Sequence, residues 1–181
     1  MIKNRKELKE YLSADMLANN VDRKTFRGFI DYHFNPRIKF IRNLRFYEYW
    51  SNKSGNVINK MITLYYYYKH KKLSYKLGYT IYKNNFGKGL FLGHYGTLVV
   101  NKDARIGENC RIHVSVNIGG YNGGVPVIGN NVYIGPGAKI FGPITIGDNV
   151  IIGANAVVNK SFPDNVIVAG VPAKIIKNNR V

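Results

Sequence analysis

The sequence predicts a parallel β-helix made of six-residue repeats, preceded by a basic helical segment. Three observations predict it. Aliphatic residues recur every six places at Ile106, Ile112 and Ile118, then at Ile128, Ile134, Ile140, Ile146, Ile152 and Val158. A small or apolar residue stands two places before each, at Ala104, Cys110, Val116, Pro126, Val132, Ala138, Ile144, Val150 and Ala156. Glycine follows the aliphatic at 107, 119, 129, 135, 147 and 153. A period of six matches neither a helix nor an alternating strand, but fits short strands joined by tight corners.

Each hexad supplies one side and one corner of a coil. The aliphatic points inward and stacks on its equivalent about 4.8 Å away in the next coil. With three hexads per coil, Ile112, Ile134 and Ile152 form one inward column, and Ile118, Ile140 and Val158 another. Glycine after the aliphatic suits a corner where φ is positive or where a Cβ would clash. Such a solenoid is held by contacts between neighbouring coils and needs caps at its ends.

The elements before the repeat read as helices. Residues 1–34 are helical with breaks, with Ser13 or Asn20 as caps. Asn35-Pro36 starts a helix as an N-cap followed by proline in the first turn. Ile38, Ile41, Leu44 and Tyr49 share one face of it, with Arg37, Lys39, Arg42, Arg45 and Lys53 around that face. Gly55-Asn56 breaks and caps again. Val57, Met61, Leu64 and Tyr68 then recur at helical spacing in a helix that carries the run Tyr65 to Tyr68 and ends at Gly78. The expected organisation is a basic helical region at 1–78, a β-helix at 79–177 and a tail at 178–181.

Composition sets further bounds. A chain of 181 residues, 45% hydrophobic, forms one compact domain or one with a helical appendage. No apolar run approaches the ~18 residues of a membrane span. Met1 to Glu10 has no apolar stretch behind it, so no secretion signal is expected. The single cysteine, Cys110, falls in an inward slot and reads as a small core residue in a reducing cytoplasm. The net charge of +17 is uneven. Residues 1–90 hold 19 Lys/Arg and 6 Asp/Glu (net +13), and residues 91–181 hold 8 and 4 (net +4). The basic helices read as a solvated outer face whose tyrosines pack on the solenoid or a neighbouring subunit. A peripheral contact with an anionic membrane surface or glycan is the sharper alternative. No nucleic-acid motif is present.

The repeat breaks twice, and solenoid loops carry function. One break is Gly93-His94-Tyr95-Gly96. The other is Gly119-Gly120-Tyr121-Asn122-Gly123-Gly124-Val125-Pro126, where four residues are inserted. The segments Gly89 to Gly96, Ile112 to Gly120, Ile128 to Ile140 and Ala169-Gly-Val-Pro-Ala-Lys174 resemble serine acetyltransferase and its relatives. Within that group the chain is most similar to the shorter enzymes of bacterial capsule and polysaccharide O-acetylation. The resemblance covers roughly residues 75–177. It implies a left-handed β-helix, a homotrimer, and acetyl-CoA held in a cleft between adjacent subunits, with no metal.

By that resemblance His94 is the general base, taking the proton of the acceptor hydroxyl as it attacks the acetyl carbonyl. Histidine suits this role because its unperturbed pKa is near 6.5. Backbone N–H groups at Gly119 or Gly120 would stabilise the oxyanion. His113 stands where most hexads carry glycine, either facing the cleft as a second catalytic residue or lying outside a corner. His33 and His70 read as surface or packing residues. For CoA, Pro136 and Ala154 would lie along the pantetheine, Asn159 and Lys160 would meet the lower arm, and Lys174 and Lys177 would face the nucleotide phosphates.

Departures from the family pattern bear on the acceptor. Serine acetyltransferases carry an Asp before the His, acidic groups near the acceptor and a second His in the Gly-rich loop. Here Gly93 precedes His94, Thr80 stands near the place of the dyad Asp, Lys102 replaces an acidic residue, and Val125 replaces the second His. A site without those carboxylates binds an ammonium poorly, so the expected acceptor is a sugar hydroxyl in surface polysaccharide biosynthesis. Serine O-acetylation and a non-catalytic trimeric scaffold docking on membrane or glycan are the alternatives. A carbonic anhydrase would need three convergent His ligands, and two of the four histidines lie in the helical region.

Overall fold

The structure is a computed structural model and describes residues 1–53 and 55–179. Four helices precede the strands. α1 (Arg5–Ala18) is capped by Asn4, whose side chain accepts from the Glu7 N–H. No Gly or Pro interrupts it, so Ser13 lies inside the helix and caps nothing. Asn20 does cap, at the C-terminus: it follows Asn19 at φ 56°, and the N–H groups of Asn20 and Val21 donate to the Leu17 and Met16 carbonyls. α2 (Phe26–Phe34) is capped by Thr25. α3 (Pro36–Asn52) starts as expected, with Asn35 accepting from the Arg37 N–H. α4 (Val57–Leu77) is capped by Asn56 and ends at Gly78 in the left-handed region, φ 77°.

α3 packs against α4, with the Phe46 and Tyr66 rings stacked at 5.3 Å. Its Phe40, Ile41 and Leu44 join the core of the solenoid. The periodic residues of α4 do the opposite: Val57, Met61, Leu64 and Tyr68 are all more than half exposed. Spacing fixes which residues share a face, not whether anything covers it.

From Tyr79 the chain winds through three parallel sheets. The first stacks β1 (Tyr79–Thr80), β3 (Leu98–Val100), β6 (Asn117–Gly119), β9 (Lys139–Phe141) and β12 (Val157–Val158). The second stacks β4 (Arg105–Ile106), β7 (Val127–Ile128) and β10 (Thr145–Ile146). The third stacks β2 (Phe91–Leu92), β5 (Arg111–Ile112), β8 (Tyr133–Ile134), β11 (Ile151–Ile152) and β13 (Val166–Gly170). β14 (Ala173–Asn178) closes the third sheet as an antiparallel hairpin on β13. Asn178 is thus still in a strand, Asn179 is bonded to Asn165, and the last two residues of the expected tail lie outside the described residues.

The predicted columns form. Ile112 pairs with Ile134 and Ile134 with Ile152; Ile118 pairs with Ile140 and Ile140 with Val158. The small residues two places earlier are all buried, Cys110 included. Burial pushes the Cys110 thiol pKa upward, so it stays an inert core group. The repeat glycines act by close approach, not by positive φ. A Cβ at Gly107, Gly129, Gly135, Gly147 or Gly153 would lie within 3 Å of the next coil. Positive φ falls to asparagines instead. Asn109, Asn131, Asn149 and Asn165 adopt φ of 56°, 56°, 58° and 58° at one corner, and their side-chain amides bond each to the next at 2.9–3.0 Å.

The irregular first coil is held by a buried ionic cluster. Arg45 of α3 pairs with Asp15 of α1 at 2.7 Å and with Glu48 at 2.9 Å, all fully buried. The same guanidinium donates to the carbonyls of Phe86 and Gly87, Asp15 accepts from the Leu90 N–H, and Glu48 accepts from the Asn84 N–H. The basic face of α3 is therefore not simply solvated; it binds the stretch that leads into β2.

Candidate active site

The loop after β2 carries His94, and three consecutive carbonyls fix its backbone. Arg37, at the start of α3, donates to the carbonyls of Leu92 and Gly93. The Tyr79 hydroxyl donates to the His94 carbonyl at 2.8 Å. Burial pushes the Tyr79 pKa up to about 12, which keeps that hydroxyl protonated as a donor. The Gly93 N–H donates to the Ile112 carbonyl. Neither Arg37 nor Tyr79 was expected from sequence. They act across 55 and 15 residues, and no local pattern marks such pairings.

The His94 side chain is exposed, and its ring centroid is 6.5 Å from that of His113. Of the two readings for His113, the structure places it beside His94. Its ring packs on Tyr133 and abuts Gly93, where an added Cβ would lie 2.6 Å from Nδ1. Gly93 and His113 thus fit together, and a side chain at 93 would displace the ring. Burial lowers the His113 pKa, helped by the nearby His94 and Arg111, so it is neutral at pH 7. Among the described residues no carboxylate is hydrogen-bonded or ion-paired to either histidine. The charged groups around them are Arg37, which lies over the Tyr95 ring, and Arg111, which lies over the Phe91 ring.

Strand register sets what lies beyond His113. The residues just past the inward aliphatics of the third sheet stack as Gly93, His113, Gly135, Gly153 and Ala169, and Ala169 pairs with Lys174. Pro136 and Ala154 follow the two glycines and are exposed. The β13–β14 register shifts between Ile167 and Val168, so Ile176 is the extra residue. Lys174 and Lys177 would otherwise face opposite ways. With the bulge they stand opposite Ala169 and Ile167, on one face of the hairpin. Lys177 also lines a cavity of about 560 Å³ with Ile167, Asn178 and Asn179.

The other expected residues occupy a different edge. Gly119 ends β6, and Asn159 follows β12; both lie where the first sheet turns toward the second, whereas His94 lies where the third turns toward the first. Gly120 and Lys160 continue from them and are exposed. The inserted loop is a tight hairpin: Tyr121 and Gly124 exchange backbone hydrogen bonds around Asn122 and Gly123, at φ 48° and 77°. Within one chain, Gly119, Gly120, Asn159 and Lys160 are not brought to His94. Gly119 is open: an added Cβ there meets nothing nearer than Asn117 Oδ1 at 3.5 Å.

The remaining positions are accounted for singly. Thr80 is exposed beside Tyr79, Lys102 is exposed, and Val125 is half-buried. His70 is buried, its Nε2 is 2.8 Å from the Ile81 carbonyl, and it packs on Phe40 and Tyr47; His33 is exposed beside Phe29 and Tyr32. Among the described residues no three His, Cys, Asp or Glu converge as a metal site, and no helix is long and apolar enough to cross a membrane.

Comparison with known proteins agrees with the fold. The family "Bacterial transferase hexapeptide (six repeats)" matches residues 126–160. Serine acetyltransferase from Mycobacterium tuberculosis is 42% identical over 94 residues, which are 50% of this chain and 41% of that protein. Serine acetyltransferase from Helicobacter pylori is 40% identical over 98 residues, 52% of this chain and 57% of that protein. The matched stretch is thus about half the length of these curated relatives. Among solved structures, serine acetyltransferase from Brucella abortus superposes with a TM-score of 0.77 at 33% identity, covering 96% of this chain and 70% of that one. The same enzyme in complex with coenzyme A also scores 0.77, at 31% identity and the same 70% of its chain.

Proposed function

Because the chain belongs to the serine acetyltransferase family, we propose that it transfers an acetyl group from acetyl-CoA to a hydroxyl acceptor. The observation that carries this reading is the column from Gly93 through His113, Gly135, Gly153 and Ala169 to Lys174. Its five strand steps span about 24 Å at ~4.8 Å each, a length suited to an extended CoA. The thioester would lie at the histidine end. The pantetheine would run over the small residues beside Pro136 and Ala154, and the nucleotide phosphates would meet Lys174 and Lys177.

His94 then takes the proton of the acceptor hydroxyl as its oxygen attacks the acetyl carbonyl. The tetrahedral oxyanion collapses, the carbon–sulfur bond breaks, and the proton passes to the departing thiolate. Gly119 and Gly120 are assigned to the oxyanion, and Asn159 and Lys160 to the lower arm of CoA. All four stand on another edge of the prism, so these roles require a neighbouring subunit. A homotrimer in which one chain's His94 edge faces the next chain's Gly119 edge completes the site. Use of acetyl-CoA sets the reaction in the cytoplasm.

The names of the relatives favour L-serine as acceptor over the polysaccharide hydroxyl expected from the sequence. One observation favours the second reading: Arg37 and Arg111 flank the histidines, and among the described residues no carboxylate is paired with them. Cations without a counter-charge repel an ammonium and suit a neutral or anionic sugar. Incubation with acetyl-CoA and L-serine, and separately with nucleotide sugars and capsular oligosaccharides, decides by mass detection of one added acetyl group. O-acetylserine establishes the first reading; an acetylated saccharide with serine inert establishes the second. Equal turnover by His94→Ala overturns the assigned base.

A further inference from the structure

A basic hollow lies between α3 and α4, apart from the histidines. It is a cavity of about 570 Å³. Five cations line it: Lys39 and Arg42 from α3, and Lys69, Lys72 and Lys76 from α4. Each set falls at helical spacings of three or four, so each helix turns a run of positive charge toward the same hollow. No acidic residue lines the cavity, and among the described residues none of the five is paired with a carboxylate. The rest of the lining includes Phe34, Phe46, Tyr66 and Leu73.

A solvated lysine face spreads its charges apart and intersperses acids among them. Here five like charges line one hollow beside apolar side chains, with no acid among them. One of them is also held in place. The Arg42 guanidinium stacks on the Tyr32 ring at 3.6 Å and donates to the Tyr32 carbonyl at 2.7 Å. A fixed planar fork flanked by ammonium groups suits a tetrahedral polyanion.

We propose that this cavity binds a phosphate or diphosphate group that carries an apolar or planar body. The oxygens meet Arg42 and the four lysines, and the body lies on Phe46, Tyr66 and Leu73. The source of the group is either a soluble diphosphate ester or the headgroup of an anionic lipid.

The test is calorimetric titration of the full chain with sodium pyrophosphate at constant ionic strength. Saturating CoA is present to occupy the contacts assigned to Lys174 and Lys177. Lys39→Gln/Lys72→Gln removes one cation from each wall, and Lys3→Gln/Lys6→Gln removes the same charge from α1 and the residues before it. The pocket pair is expected to weaken binding about tenfold or more, with the control pair unchanged. A parallel arm sediments the protein with phosphatidylglycerol vesicles and with phosphatidylcholine vesicles. Pyrophosphate binding that depends on the pocket, without pelleting, assigns a soluble ester. Pelleting with phosphatidylglycerol alone that the pocket pair abolishes assigns a lipid headgroup. The proposal is overturned if both pairs weaken binding equally, or if neither pyrophosphate nor vesicles respond to the pocket pair. Acetyl transfer by the pocket pair is a separate readout, so failure here leaves the assignment of His94 untouched.

Discussion

Arg37 makes its own prediction. Its guanidinium satisfies two carbonyls immediately before His94. Arg37→Met keeps the length and apolar stem of the side chain and removes those donors. Leaving partly buried carbonyls unpaired costs about 1–3 kcal/mol, and the loop that aims His94 loosens. The expected outcome is a fall in kcat with little change in the dissociation constant for acetyl-CoA, whose assigned contacts lie on later coils. An unchanged kcat would make Arg37 a structural donor only. Gly93 belongs to the same argument. Its lack of a side chain read from sequence as a missing acid; the structure adds that the His113 ring fills the space beside it.

At the scale of elements, α3 fastens the helices to the solenoid through one buried cation. Arg45→Met would leave Asp15 and Glu48 buried without their partner, a loss of about 3–5 kcal/mol, read as a shift of the urea midpoint at neutral pH. α4 contributes a pH dependence through His70. Burial depresses its pKa, only partly offset by the bond to the Ile81 carbonyl, and Lys71 lowers it further. A histidine with a lowered folded pKa binds fewer protons folded than unfolded. Its contribution is therefore complete above the unfolded value near 6.5 and declines as pH falls from there toward the folded pKa. Thermal melts from pH 7.5 to 5 should show this loss, and His70→Phe should flatten that part of the curve; an identical slope in the variant would refute the assignment. The solenoid was legible in the sequence because every coil must repeat the same inward residue and the same close approach at its corner. The helical caps at Asn35 and Asn56 were legible for similar local reasons. The Asp15–Arg45–Glu48 cluster was not, since its members are 30 and 3 residues apart and each reads alone as a surface charge.

For the whole molecule, sequence marked both breaks in the repeat but not that they fall on different edges of the prism. That separation follows from strand order: the His94 loop follows a strand of the third sheet, and Gly119 ends a strand of the first. A site shared between subunits makes a quantitative prediction. His94→Ala removes the base from one edge. Gly119→Phe fills the other, and an added Cβ at Gly119 meets nothing in this chain nearer than 3.5 Å. Each variant alone should be inactive, with the loss at His94 about 10²–10⁴-fold in kcat. In trimers assembled from an equal mixture, each cleft draws one edge from each of two neighbouring chains. Each edge is intact with a chance of about one half, so about one quarter of the clefts are whole. Every trimer that carries both chains has one whole cleft of its three, so purification through two affinity tags should recover about a third of wild-type activity. If all catalytic groups belonged to one chain, the mixture would be as inactive as its parts. A purely monomeric protein on size exclusion would remove the shared cleft altogether.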